Sequence, residues 1–129
     1  MFENLIEKAK EAQLKSISPY SNFRVGAAIE TDEGKIYLGA NIENASYSLT
    51  ICAERTAIFN ALLSGERKFK RLALISDSEN IISPCGACRQ VLAEFCNQDF
   101  EIIMTNQKGE TKIATLGEIL PFSFSKKDL

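Results

Sequence analysis

The sequence predicts an α/β fold with one mixed sheet covered by helices on both faces, and three observations lead there. Apolar positions switch along the chain between helical spacing and strict alternation, in the order α-β-β-α-β-α-β-(β)-α. The 129 residues are 45% apolar and 25% charged, an ordinary globular composition. A chain of this length buries roughly two-thirds of its unfolded surface but leaves no room for a second sizeable core, so residues 1–129 read as a single domain.

Each element has its own warrant. Phe2, Leu5, Ile6, Ala9 and Ala12 recur at helical spacing and predict a helix over residues 2–15. Residues 17–22 are a loop by composition. Phe23, Val25, Ala27 and Ile29 then alternate as a strand, Asp32-Glu33-Gly34 makes a hairpin turn, and Ile36 to Asn41 returns. Thr50 to Leu63 is helical by pattern and stops at Ser64-Gly65. Leu72 to Ile75 is a short buried strand. Ser83-Pro84 introduces a helix from Cys85 to Cys96, which Asn97 can close. Phe100 to Thr105 is a strand, residues 106–109 a turn, and Lys112 to Ala114 a possible further strand. Thr115 and Glu118 fit a capping box for a short last helix.

Charge and composition exclude several function classes. With 15 basic and 17 acidic residues the formal charge is -2, so no global basic excess points to nucleic acid. Arg67-Lys68-Phe69-Lys70-Arg71 is a local basic cluster, read as a solvated turn leading into a strand rather than a phosphate track. No apolar run approaches the ~20 residues of a membrane span, and Met-Phe-Glu-Asn does not begin a secretory signal. The expected compartment is the reducing cytoplasm. Histidine is absent, which removes Ser-His-Asp triads, Cys-His nucleophiles and histidine metal sites.

Four cysteines carry the chemistry that remains. Cys85 and Cys88 stand at i and i+3 where a helix begins, so both sulfurs can reach one ion from one helical face. Cys52 stands at the start of the other central helix, and helix N-termini favour thiolates. Three such thiolates make a zinc site with one open position, the arrangement of catalytic rather than structural zinc. A redox pair or two buried thiols is the alternative for C-x-x-C alone. Cys96 lies about 12 Å further along its helix and reads as a small core residue. A zinc site of this kind needs a proton carrier, and Glu54 is the carboxylate nearest a candidate ligand in sequence. Its i, i+2 spacing from Cys52 does not put the two on one helical face, and an acid in a first helical turn is common without any such role. Arg55, at i+3, does share the face of Cys52 and can offset the net negative charge of three thiolates on Zn²⁺.

Cys52-Ala53-Glu54-Arg55 and Pro84-Cys85-Gly86-Ala87-Cys88-Arg89-Gln90 resemble the small homotetrameric zinc-dependent cytidine deaminases. The likeness extends through residues 20–27, 41–47 and 120–124, nearly the whole chain. It implies a three-layer α/β/α sandwich and one Zn²⁺ per chain on Cys52, Cys85 and Cys88. It implies Glu54 as proton shuttle, Arg55 as donor to the thiolates, and cytidine or deoxycytidine as substrate in pyrimidine salvage. Phe23 would line the nucleoside pocket, Asn41 and Glu43 would bind the ribose 3′-hydroxyl, and the Ala53 N–H would meet the pyrimidine carbonyl. Ala45 and Tyr47 would come from one neighbouring subunit and Phe124 from another, giving shared active sites. The residues alone support part of this, because Asn41 and Glu43 at i, i+2 on an extended segment face one way. A carboxylate there disfavours a substrate phosphate, and so favours the free nucleoside. Two rival readings are a structural zinc module that binds a protein and a deaminase acting on RNA or single-stranded DNA. The first lacks a well-placed fourth ligand, and the second rests on residues 67–71 alone.

Overall fold

A computed structural model describes residues 2–129. Its elements are α1 (Glu3–Gln13), β1 (Val25–Thr31), β2 (Ile36–Ala40), α2 (Ala53–Leu63), β3 (Phe69–Ser76), α3 (Gly86–Phe95), β4 (Glu101–Thr105), β5 (Thr111–Thr115) and α4 (Leu116–Ile119). Short 3₁₀ turns at Tyr47–Leu49 and Lys126–Asp128 complete them. The strands form one five-stranded sheet in the order β2-β1-β3-β4-β5. Every neighbouring pair is antiparallel except β3 and β4. A parallel pair cannot be joined by a hairpin, and α3 supplies the crossover.

Alternation along the strands sorts the core into two layers. Ala27, Ile29, Leu72, Leu74, Ile102 and Met104 pack with Ala57, Ile58 and Leu92 of α2 and α3. The intervening Ala28, Ala73, Ile75 and Ile103 pack with Leu5 and Ala9 of α1 on the opposite face. The sheet is therefore sandwiched between helices, as the element order predicts. Two glycines set how closely those helices lie. A Cβ on Gly26 would sit 2.2 Å from the Ala9 carbonyl oxygen of α1, and one on Gly39 would sit 2.2 Å from the Ala57 nitrogen of α2. Those obstacles are backbone, which cannot swing aside. Gly39→Ala is therefore expected to cost about 1–3 kcal/mol or more, read as a lower urea midpoint at unchanged slope.

Several boundaries depart from the sequence periods. α1 stops at Gln13 rather than near 15, because Lys15 and Ser16 donate to the Ala12 and Gln13 carbonyls in a tightened last turn. β1 starts at Val25 rather than Phe23, since Asn22 at φ 54° turns the chain just before it. α2 starts at Ala53 rather than Thr50, and Cys52 is its extended N-cap. Cys85 and Cys96 cap α3 instead of lying within it. β3 runs from Phe69, three residues earlier than its apolar core suggests. The reason is cross-strand: register sets Arg71 between Glu30 of β1 and Glu101 of β4, with ion pairs of 2.7 and 3.2 Å. Arg71 also covers the Phe2 ring at 5.0 Å, and Arg67 donates to the Leu62 and Glu66 carbonyls. Both arginines of the basic cluster are thus engaged within the chain. No helix among the described residues is long and apolar enough to cross a membrane.

Candidate functional site

The C-terminal end of β3 leads into the segment that starts α3, the end at which open α/β sheets hold ligands. There Cys85, extended at φ -65° and ψ 163°, caps α3 and its sulfur accepts from the Cys88 N–H. Cys52 caps α2 in the same extended geometry. The two helices pack side by side on one face of the sheet, so their N-terminal ends meet. Cys52 and Cys85 sulfurs are 3.8 Å apart, Cys85 and Cys88 sulfurs 3.2 Å, and all three lie within 4.8 Å of one another. Tetrahedral zinc with 2.3 Å bonds sets its sulfurs about 3.8 Å apart, so this donor set fits one such ion. It is the one cluster of three or more metal-ligating side chains among the described residues. Cys96 is at the far end of α3, packed against the core, and burial alone pushes its thiol up to about 12.

The charges around the sulfurs follow from their partners. A hydrogen bond with Cys88, with Arg55 and Cys85 behind it, draws the Cys52 thiol down to about 5 against its partial burial. Cys88 moves the other way, raised by its interaction with Cys52 and by burial. Arg55 donates Nη2 to the Cys52 sulfur at 3.5 Å, while its Nε is buried without a partner. One guanidinium balances the net -1 that three thiolates leave on a dication.

Glu54 is only 5% exposed. Burial lifts its carboxyl to about 7, helped by the negative charge of Cys52 and opposed by hydrogen bonds to its own backbone and to Cys88. Because Cys52 is an N-cap off the helical path, i, i+2 counting does not describe how Glu54 lies relative to its sulfur. A buried carboxyl that titrates near neutrality can both take and give a proton.

The remaining candidates fall into two groups. Asn41, Glu43 and Phe23 sit close together, bound to one another's loops. The Asn41 carboxamide oxygen accepts from the Val25 N–H and the Ser16 hydroxyl, and its nitrogen donates to the Phe23 carbonyl at 2.8 Å. Glu43 accepts from the Tyr20 and Ser21 N–H groups and from the Ser21 hydroxyl, which holds its carboxyl below the usual range. Ala53 is buried at the first turn of α2. Ala45, Tyr47 and Phe124 form the second group and are exposed, Tyr47 by 67% and Phe124 by 60%. Hollows of about 630 and 380 Å³ occur at the residue 67–71 rim and beside the β2 edge, and neither is lined by Cys52, Cys85 or Cys88.

Sequence reasoning assigned no part to Ser16, Ser21 or Arg89. The serines carry no pattern signal, because their partners are 22–25 residues away. Arg89 bonds to Ser83, Pro84 and Ile119, and only its place directly after Cys88 hints at a role.

Residues 2–104 match the family model of the cytidine and deoxycytidylate deaminase zinc-binding region. The chain is 52% identical over 127 residues to the cytidine deaminase of Sporosarcina psychrophila, covering 98% of this chain and 93% of that one. Against the cytidine deaminase of Halalkalibacterium halodurans the identity is 45% over 125 residues, with 97% and 95% coverage. A crystal structure of cytidine deaminase from Burkholderia pseudomallei superposes with a TM-score of 0.94 at 46% identity, covering 96% of this chain and 99% of that one.

Proposed function

The chain belongs to the cytidine and deoxycytidylate deaminase zinc-binding family, and we propose that it hydrolyses cytidine and deoxycytidine to uridine and deoxyuridine with release of ammonia. The observation that carries this is the convergence of three thiols within 4.8 Å beside the buried carboxyl of Glu54. The reaction belongs to pyrimidine salvage in the cytoplasm, and a single deaminase domain over residues 1–129 performs it.

Cys52, Cys85 and Cys88 would hold one Zn²⁺, with Arg55 offsetting their charge. When bound, the ion would supply the positive charge that makes water acidic near neutral pH. Glu54 takes one proton from the attacking water and delivers it to pyrimidine N3 while the oxygen adds at C4. It then takes the remaining proton of the new C4 hydroxyl and gives it to the departing amine, so that water and cytidine become uridine and ammonia. The Ala53 N–H, first in α2 and without an intrahelical partner, meets the pyrimidine carbonyl.

The ribose subsite follows from counting hydrogen-bond capacity. Asn41 has both oxygen lone pairs engaged and one N–H free, while Glu43 has acceptor capacity left on one oxygen. One donor beside one acceptor complements a hydroxyl, which is both. It does not suit a phosphate, which only accepts and repels the carboxylate. Phe23 lines the pocket beside them. On one chain Tyr47 and Phe124 remain exposed, which accords with a homotetramer in which Ala45, Tyr47 and Phe124 complete neighbouring sites.

The direct test incubates the purified protein with cytidine, deoxycytidine and cytidine monophosphate, following uridine products and ammonia together. Equimolar product and ammonia from the nucleosides, with little from the nucleotide, is expected. Failure to release ammonia from either nucleoside refutes the assignment. Cys96→Ser is expected to keep one zinc per chain and full turnover, by metal analysis and the same assay, with stability lower by no more than ~1 kcal/mol.

A further inference from the structure

Leu120 still packs against the core, and residues 121–124 run outward from it, yet the segment is fastened at both ends to the same helix. Arg89 donates Nε to the Pro84 carbonyl at 2.7 Å, Nη2 to the Ser83 hydroxyl at 2.7 Å and Nη1 to the Ile119 carbonyl at 2.6 Å. Its planar fork thereby links the turn before α3 to the last residue of α4, where the tail begins. The next residue, Gln90, donates Nε2 to the Phe124 carbonyl at 2.8 Å. Consecutive residues of α3 thus hold the start and the end of the segment.

Both tail anchors grip main-chain carbonyls, so the aromatic rings between them stay free. Phe122 takes φ 55° with a fully exposed ring, and Phe124 is 60% exposed. A positive φ on a bulky residue costs free energy, and bare phenyl rings keep apolar surface in water. A tail tethered through its backbone with its rings turned outward is arranged to be covered by something other than its own chain. A second copy, whose proposed pyrimidine site needs an aromatic cover, suits that apolar surface.

We infer that Gln90, with Arg89 at the other anchor, is a positioning residue that aims this tail into the active site of a neighbouring copy, and so governs a site other than the one beside it. The inference rests on the reading of Phe124 as a cover supplied in trans.

Subunit mixing tests it. Recipient chains carry Phe124→Ala with Glu54 intact, and donor chains carry Glu54→Gln with the tail intact. After dissociation and reassembly with donor in excess, hybrids are expected to exceed the activity of either parent. Gln90→Ala is then placed on one partner at a time, with hybrid composition followed by native mass spectrometry and zinc content measured throughout. On the donor it is expected to cut the gain about fivefold, the effect of one lost hydrogen bond. On the recipient, whose own tail lacks the ring, the gain is expected to persist. If Gln90 merely supports the helix that carries Cys88, the loss instead follows the recipient, whose own site does the work. Loss confined to the recipient, equal loss from both placements, or no loss from either overturns the inference while leaving Phe124 in trans. Verified parent hybrids with no gain overturn the trans reading and this inference with it.

Discussion

Glu54→Gln is expected to lower turnover of cytidine by at least ~100-fold while metal content and nucleoside binding stay near normal. The carboxamide has the same shape as the carboxyl and fills the same 5% exposed position, so packing at the first turn of α2 is kept. What it lacks is a basic oxygen to carry one proton from water to N3 and a second to the departing amine. The three thiols converge without Glu54, so the zinc set is untouched. Rapid-mixing turnover, equilibrium binding of cytidine and metal analysis on one preparation check all three expectations. A variant that turns over within a few-fold of the parent removes Glu54 as the proton carrier.

Cys85→Ser is expected to lose the metal, the activity and the metal-linked part of stability together. The choice of residue separates metal from capping. Cys85 is the N-cap of α3 and its sulfur accepts the Cys88 N–H, a task a serine hydroxyl performs at least as well. Without metal, therefore, the variant is expected to melt close to the chelated parent. With zinc present at a thousand times its dissociation constant, the parent gains about 4 kcal/mol that the variant does not. Thermal melts of both proteins, with and without chelator, give the four values needed. A variant that responds to zinc as the parent does would take Cys85 out of the ligand set.

Much of this architecture is legible in the sequence because its elements are short and their periods clean. Ala27, Ala28 and Ile29 alternate between two covered faces, and Thr115 with Glu118 closes the capping box that their spacing predicts. The Cys85–Cys88 pair is local, so one helical turn suffices to read it. The meeting of Cys52 with that pair is not local: it depends on α2 and α3 lying side by side, and the 33-residue separation gives no distance. Edges are lost where a local event overrides the pattern, as when Asn22 turns the chain at φ 54° ahead of β1. The polar length of β3 is hidden because Arg71 looks like surface until its neighbours supply Glu30 and Glu101. The same limit applies around Asn41. Its sequence suggests a side chain facing a ligand, whereas most of its hydrogen-bonding capacity holds Ser16, Phe23 and Val25 in place.

The proposed activity requires one zinc ion held by Cys52, Cys85 and Cys88. Its most direct test is a titration of the chelated protein with zinc, reading cytidine turnover at each addition. Activity is expected to rise in proportion to metal and to break at one zinc per chain. Full turnover in the chelated protein, or a break at one zinc per chain with no turnover of cytidine beyond it, would contradict the account.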